Sequence, residues 1–340
     1  MDPSERQVIS GKLVVFVVGQ TEQNLDTTGI IDVKTRRSAP SYPDAVPKQE
    51  IIRIETREYD GVPVEFVVKA YLPKTVVAEA SHDREDILSA DVLDFKRGLI
   101  TCCRSILQEF GCDREYDEEY SVYCISGYGG DPEVWVTLHG AQMAALLKNE
   151  RILLDEEEVQ ATLSAFMKYG KDDLTIVDWD GAFIFDTAGD FQSNIELFEI
   201  ANLQLLRSRI LDRDLDERLR RTLRIVRAPR RFPFLNASEV RRALREIIEI
   251  RTQSLLESVE RSIGLIGDWY SARLYALIAR KFHLDGWKAN IKEKLDALED
   301  AYTMATENFS VSYSARLEIL LLIGWFVLLI LYMAEFLFLK

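Results

Sequence analysis

Five aspartates fall within fifteen residues, Asp172, Asp173, Asp178, Asp180 and Asp186, the densest group of side chains in the chain able to do chemistry. On a strand Asp178 and Asp180 project to one side, as two hard oxygen ligands would for a divalent cation. They are the candidate metal ligands, although a strand–turn–strand ending in Asp-Gly also uses aspartate for turn geometry alone. A second acidic run, Asp212-Arg213-Asp214-Leu215-Asp216, lacks the glycine and distal glutamate of a calcium loop and reads as a solvated, ion-paired helix face. Gly127-Tyr128-Gly129-Gly130 follows a strand, but Asp131-Pro132 comes next where a phosphate loop needs lysine or a dinucleotide loop needs its third glycine, so it reads as a tight turn. His82, His139 and His283 stand far apart. The four cysteines lack metal-ligand spacing, and in a reducing compartment they behave as small apolar residues. No catalytic residue and no cofactor is expected from these patterns.

Arginine is the other unusual feature. Residues 205–251 hold fourteen arginines, no lysine and seven acids, a local +7 in a chain of net charge −14. Arg227, Arg230, Arg231, Arg241 and Arg242 flank a break at Pro229 and Pro233 and are the candidate contacts to an anionic surface. Such a surface is either an internal seam against the acidic remainder, which suits arginine, or lipid headgroups. RNA is the weakest of the three partners, because the chain as a whole is acidic.

These side chains need elements to position them. The first 189 residues read as a mixed α/β domain. Lys12–Val18 is a buried strand, and residues 51–58 and 62–72 form a hairpin around Asp60-Gly61. Pro63 and Pro73 put the second hairpin strand at an edge or limit its length. Residues 20–49 read as a long loop. Helical patterns cover 86–110 and 155–168; strands are expected at 120–126, 174–177 and 182–185, with Val134–Val136 β-like ahead of a short helix at 140–147. From 190 to 314 the chain turns helical, with helices at 191–226, 238–263 and 268–282. From Trp287 onward Ile291, Leu295, Leu298, Tyr302, Ala305, Phe309 and Ser312 alternate by four and three, the seam of a coiled coil. An antiparallel hairpin with the 238–263 helix is the expected pairing, with contacts to further copies of the chain added.

Residues 315–340 complete the α+β plan as an expected transmembrane helix. Counted from Leu317 to Leu339 the segment has twenty-three residues, roughly 34 Å at about 1.5 Å each, against a hydrocarbon core of about 30 Å. Glu335 interrupts it as an intramembrane carboxyl, a position that is usually functional. The start of the chain has no basic and apolar leader, so a single-pass, tail-anchored protein with its bulk in the cytoplasm is expected.

The helical half resembles the required-for-meiotic-nuclear-division family over roughly residues 236–335. The likeness rests on Ser238-Glu239-Val240 with Glu249 and Arg251, on Asp268-Trp269-Tyr270 and Leu274-Tyr275, and on Glu293-Lys294-Leu295 and Arg316-Leu317-Glu318. Glu335 stands several residues later than the family's second glutamate. The resemblance implies an oligomeric membrane protein of the kind found in the mitochondrial inner membrane. A prokaryotic plasma membrane fits this chain better, since it lacks a transit peptide. The family supplies no catalytic residues. The expected function is therefore an oligomeric membrane scaffold that meets lipid, further copies of itself and other proteins. Two alternatives are an ion-transport protein laid out like the CorA channels, and a metal-dependent enzyme with its site at Asp178 and Asp180.

Overall fold

The structure is a computed structural model that describes residues 9–23, 49–72, 74–227, 245 and 269–338. The chain divides into two compact units, one of residues 1–211 and 257–288, the other of 212–256 and 289–340.

An eight-stranded sheet organises the first unit, in the order β2-β3-β4-β1-β5-β8-β7-β6. The strands are β1 (Gly11–Thr21), β2 (Gln49–Tyr59), β3 (Val62–Tyr71), β4 (Thr75–Arg84), β5 (Cys112–Ile125), β6 (Phe166–Met167), β7 (Asp173–Val177) and β8 (Gly181–Asp186). All neighbours are antiparallel except β5 and β8. β1 explains why both faces are covered. Leu13, Val15 and Val17 pack into one apolar core, while Val14, Phe16 and Val18 pack into the other. Such a strand reads as a continuous apolar run because water meets neither side.

Helices α1 (Val92–Glu109) and α2 (Pro132–Leu147) cover the first face. The first part of α4 (Gln192–Arg227) and α5 (Trp269–Lys281) cover the second. The short α3 (Glu156–Leu163) lies against α2, with Val159 and Leu163 next to Gly140. The expected hairpin is present: Asp60 and Gly61 both have positive φ, 52° and 75°, the two-residue turn whose twist matches that of its strands.

Several expectations are corrected. β3 is an interior strand, paired to β2 and β4, and Pro63 is tolerated because it sits at the strand's first turn. Val134–Val136 is not β-like but the start of α2. Asp131 caps that helix through the Glu133 amide at 3.0 Å and Pro132 occupies its first turn, a combination that outweighs the β preference of valine. The helix expected over 155–168 stops at Leu163, and Phe166–Met167 pairs with β7. β4 was not expected at all. Most of the 20–49 segment and the 238–263 helix lie outside the described residues.

The second unit contains the end of α4 and most of α6 (Leu284–Phe338), a helix of 55 residues. Ile291, Leu295 and Leu298 of the expected seam are buried, as is Leu215 of α4, whereas Tyr302 is half-buried. Asn290 meets Asp212 at 2.7 Å, and Lys294 bridges Asp212 at 2.7 Å and Asp216 at 2.6 Å. The contacts advance together along both helices, so α4 and α6 run in the same direction here. Among the described residues the seam thus has α4 as its partner, and the expected pairing with the 238–263 helix lies outside them. Phe309 lies in α6, with its side chain outside the described residues.

Among the described residues, no helix is long and apolar enough to cross a membrane. The expected C-terminal transmembrane helix is therefore corrected, and with it the tail anchor, the single-pass localisation and the channel-like alternative. Between Glu318 and Glu335 the uncharged stretch is sixteen residues, roughly 24 Å of helix against about 30 Å of hydrocarbon. Glu335 falls within α6 rather than beyond a span, and its side chain is outside the described residues.

Candidate functional site

The aspartates singled out by their spacing sit in the tight connection between β7 and β8, where the Asp178 amide donates to the Gly181 carbonyl at 2.8 Å. Their carboxylates take different partners. Asp178 is buried and ion-paired to Lys281 at 2.8 Å and Lys148 at 3.2 Å. Its carbonyl accepts from the Tyr120 hydroxyl at 3.0 Å. Asp180 lies by Asn149, at 3.4 Å, and near Lys96. Burial lifts the Asp180 carboxyl above the usual aspartate range, opposed by the Lys96 charge. Burial likewise pulls the Lys96 ammonium down to about 8. Two lysines on one buried aspartate leave it no charge to offer a cation, so this is an ion-pair lock on the β7–β8 turn. No group of three or more histidine, cysteine or acidic side chains among the described residues is placed to hold a metal ion.

The remaining candidates also resolve into local roles. Asp131 places its carboxylate at the start of α2 and pairs with Lys168 at 2.7 Å, so the glycine-rich turn before it presents an acid where an anion would bind. His82 meets the Pro63 carbonyl, His139 meets Gln142, and His283 has positive φ between α5 and α6; the three stay apart. The cysteines are unpaired, and burial pushes the Cys103 and Cys124 thiols far up, which makes them poor nucleophiles. Within the arginine-rich segment, Arg209 pairs with Glu118 of β5, and Arg218 pairs with Asp214 at 2.7 Å. Arg230, Arg231, Arg241 and Arg242 lie outside the described residues, as does the side chain of Arg227.

The group that sequence spacing missed is in the other half of the sheet, between β3, β4 and α4. Lys69 of β3, 1% exposed, bonds Glu79 of β4 at 2.6 Å and Glu199 of α4 at 2.7 Å. Tyr71 donates to the second Glu199 oxygen at 2.7 Å. Burial holds the Glu199 carboxyl above the ordinary glutamate range, with Lys69 opposing; at Glu79 burial is again the largest influence, but the Lys69 charge and the hydrogen bonds from Lys69 and Glu199 together outweigh it and keep that carboxyl low. The only signal in the sequence was a single lysine inside Val67-Val68-Lys69-Ala70-Tyr71, an apolar run with no room for an unpaired charge.

Glu79 also forms part of the wall of a cavity of about 500 Å³. The sheet floor is polar there because Lys12 pairs with Asp83 and Val14 with Ser81 across β1 and β4, while Ser81 pairs with Glu65 of β3. The far wall is the approach to α4, from Gly189 through Ile195. A volume of that size is in the range that holds small ligands.

A family model described as "Uncharacterized protein MJ0711, N-terminal domain" matches residues 10–192, which hold all eight strands and helices α1 to α3. The chain belongs to the MJ0711 N-terminal domain family. Among curated proteins, "Uncharacterized protein MJ0711" of Methanocaldococcus jannaschii is 27% identical over 313 residues, covering 92% of this chain and 93% of the relative. No solved structure matches. This match lies in the α/β half, whereas the resemblance to the required-for-meiotic-nuclear-division family was drawn over residues 236–335 and gains no support from it. The likeness to the MJ0711 protein extends well past the family domain, which ends at residue 192.

Proposed function

We propose that the chain is a self-associating scaffold, in which α6 joins several copies and each copy contributes one α/β unit for contact with other proteins. The carrying observation is the run from Ile319 to Met333, whose large hydrophobic side chains are 51–74% exposed on every side of the helix. A helix apolar all round persists in water only when neighbours cover it on more than one face. The occupant is argued from register. The four-and-three spacing that runs through Leu295 and Leu298 continues, after Arg316, to Ile319, Ile323, Phe326, Ile330 and Met333. Isoleucine at both kinds of core position favours three or four strands over two. The net charge of −14 disfavours polyanionic partners and leaves proteins as the partner class. The reading assigns no reaction to the chain.

Replacing Ile319, Ile323 and Ile330 together by Asn tests it. Multi-angle light scattering should find three or four copies for the native chain and one for the variant, with the α/β unit still folded by circular dichroism. A native chain that is monomeric, or that floats as a monomer with phosphatidylcholine vesicles, overturns the reading.

A further inference from the structure

Two lysines of the first unit are buried, and their surroundings differ. Lys69, 1% exposed, is matched by two glutamates. Lys96 of α1 is 3% exposed, and no carboxylate pairs with it among the described residues. Its Nζ donates to the side-chain carbonyl of Asn149 and stands 5.9 Å from the centre of the Tyr123 ring. The buried acid nearby, Asp178, is already taken by Lys148 and Lys281. Glu119 of β5, Asp180 and Arg97 act on Lys96 only through their charges. A buried ammonium without a carboxylate is costly, and the neutral amine relieves that cost.

Asn149 joins this amine to an acid. It follows α2 at a φ of 59°, a left-handed conformation uncommon outside glycine. Its Oδ1 faces Lys96, while its Nδ2 donates to the Asp180 carboxylate at 3.4 Å. Asn149 and Asp180 are half-buried, so the amide and the acid are open to water and the amine lies behind them. Burial also holds the Asp180 carboxyl above the usual aspartate range, which suits it to carry a proton.

From this cluster we infer that Lys96 is a nucleophilic amine that captures short-chain aldehydes as a reversible imine, with Asp180 as its proton carrier. A desolvated lysine that keeps its lone pair is the side chain suited to carbonyl carbon. Nζ forms the new bond to that carbon, and the carbonyl oxygen leaves as water. Asp180 gives a proton to the departing oxygen and regains one from the nitrogen. The amine loses both of its protons to the water formed, so no other reactant is needed. Asn149 is a positioning residue, holding the amine and the acid at the two ends of one amide. An amine with so little exposure admits only a short chain.

Brief treatment of the full chain with acetaldehyde and sodium cyanoborohydride near neutral pH, followed by peptide mass mapping of the alkylated lysines, decides the matter. Lys96 should react about tenfold faster than the exposed lysines, because an ordinary lysine offers almost no free amine at that pH. Asn149→Asp gives Lys96 a carboxylate partner and should erase the lead. Asp180→Asn should erase it too, with the exposed lysines unchanged. Were Asp180 only a charge, its loss would leave the amine more neutral and the reaction faster. Alkylation of Lys96 no faster than that of exposed lysines, or a lead that survives either substitution, would overturn the assignment.

Discussion

An ammonium group taken out of water needs close, well-aimed acceptors, and Lys69 has Glu79 at 2.6 Å and Glu199 at 2.7 Å. Removing the lysine alone strands two buried carboxylates. Lys69→Met should therefore cost on the order of 3–5 kcal/mol in urea unfolding, and adding Glu79→Gln and Glu199→Gln should recover most of it. The network also has a pH signature. Burial raises the folded Glu199 carboxyl from an ordinary 4.5 to about 7, so within that window the folded chain holds a proton that the unfolded chain has released. The contribution of Glu199 to stability thus falls as pH rises from 4.5 toward 7 and levels off above it. Unfolding at several pH values should show the gap between native and Glu199→Gln chains shifting in the variant's favour across that window. A gap constant with pH would mean that Glu199 is charged throughout.

The elements were legible where local chemistry and burial agree. Asp60-Gly61 announced its hairpin because only such residues adopt two positive φ values cheaply. β1 was visible as an apolar run, and α4 was readable almost to its ends. β4 was not, because Glu79, Ser81 and Asp83 break the inward alternation that marks a strand. Those same residues line the cavity, so the local rule failed at the candidate site itself. Glu199 was equally hidden: it lies 130 residues from Lys69, and only the packing of α4 on the sheet brings the two together. The tail was misjudged because counting from Leu317 to Leu339 took in Glu318 and Glu335, and the uncharged stretch between those two is only sixteen residues, roughly 24 Å of helix against about 30 Å of hydrocarbon. At this scale Gly11 gives a direct test of sheet assembly. A Cβ there would stand 2.6 Å from the Cys124 carbonyl, which is backbone and cannot swing away. Gly11→Ala should separate β1 from β5 locally and cost about 1–3 kcal/mol of thermal stability, the usual range for overpacking.

At the scale of the whole molecule, the relative is matched over 92% of this chain, a stretch that takes in more than the sheet and its helices. Self-association gives α6 a purpose that its own sequence explains: an apolar surface with a continuous seam, at the end of a helix whose earlier seam residues Ile291, Leu295 and Leu298 are already buried. The most direct measurement is sedimentation equilibrium of the full-length chain over a range of concentrations. A mass of three or four times 39.0 kDa is expected, falling to one copy when Ile319, Ile323 and Ile330 are replaced by Asn. A single 39.0 kDa species for the native chain at every concentration would contradict it.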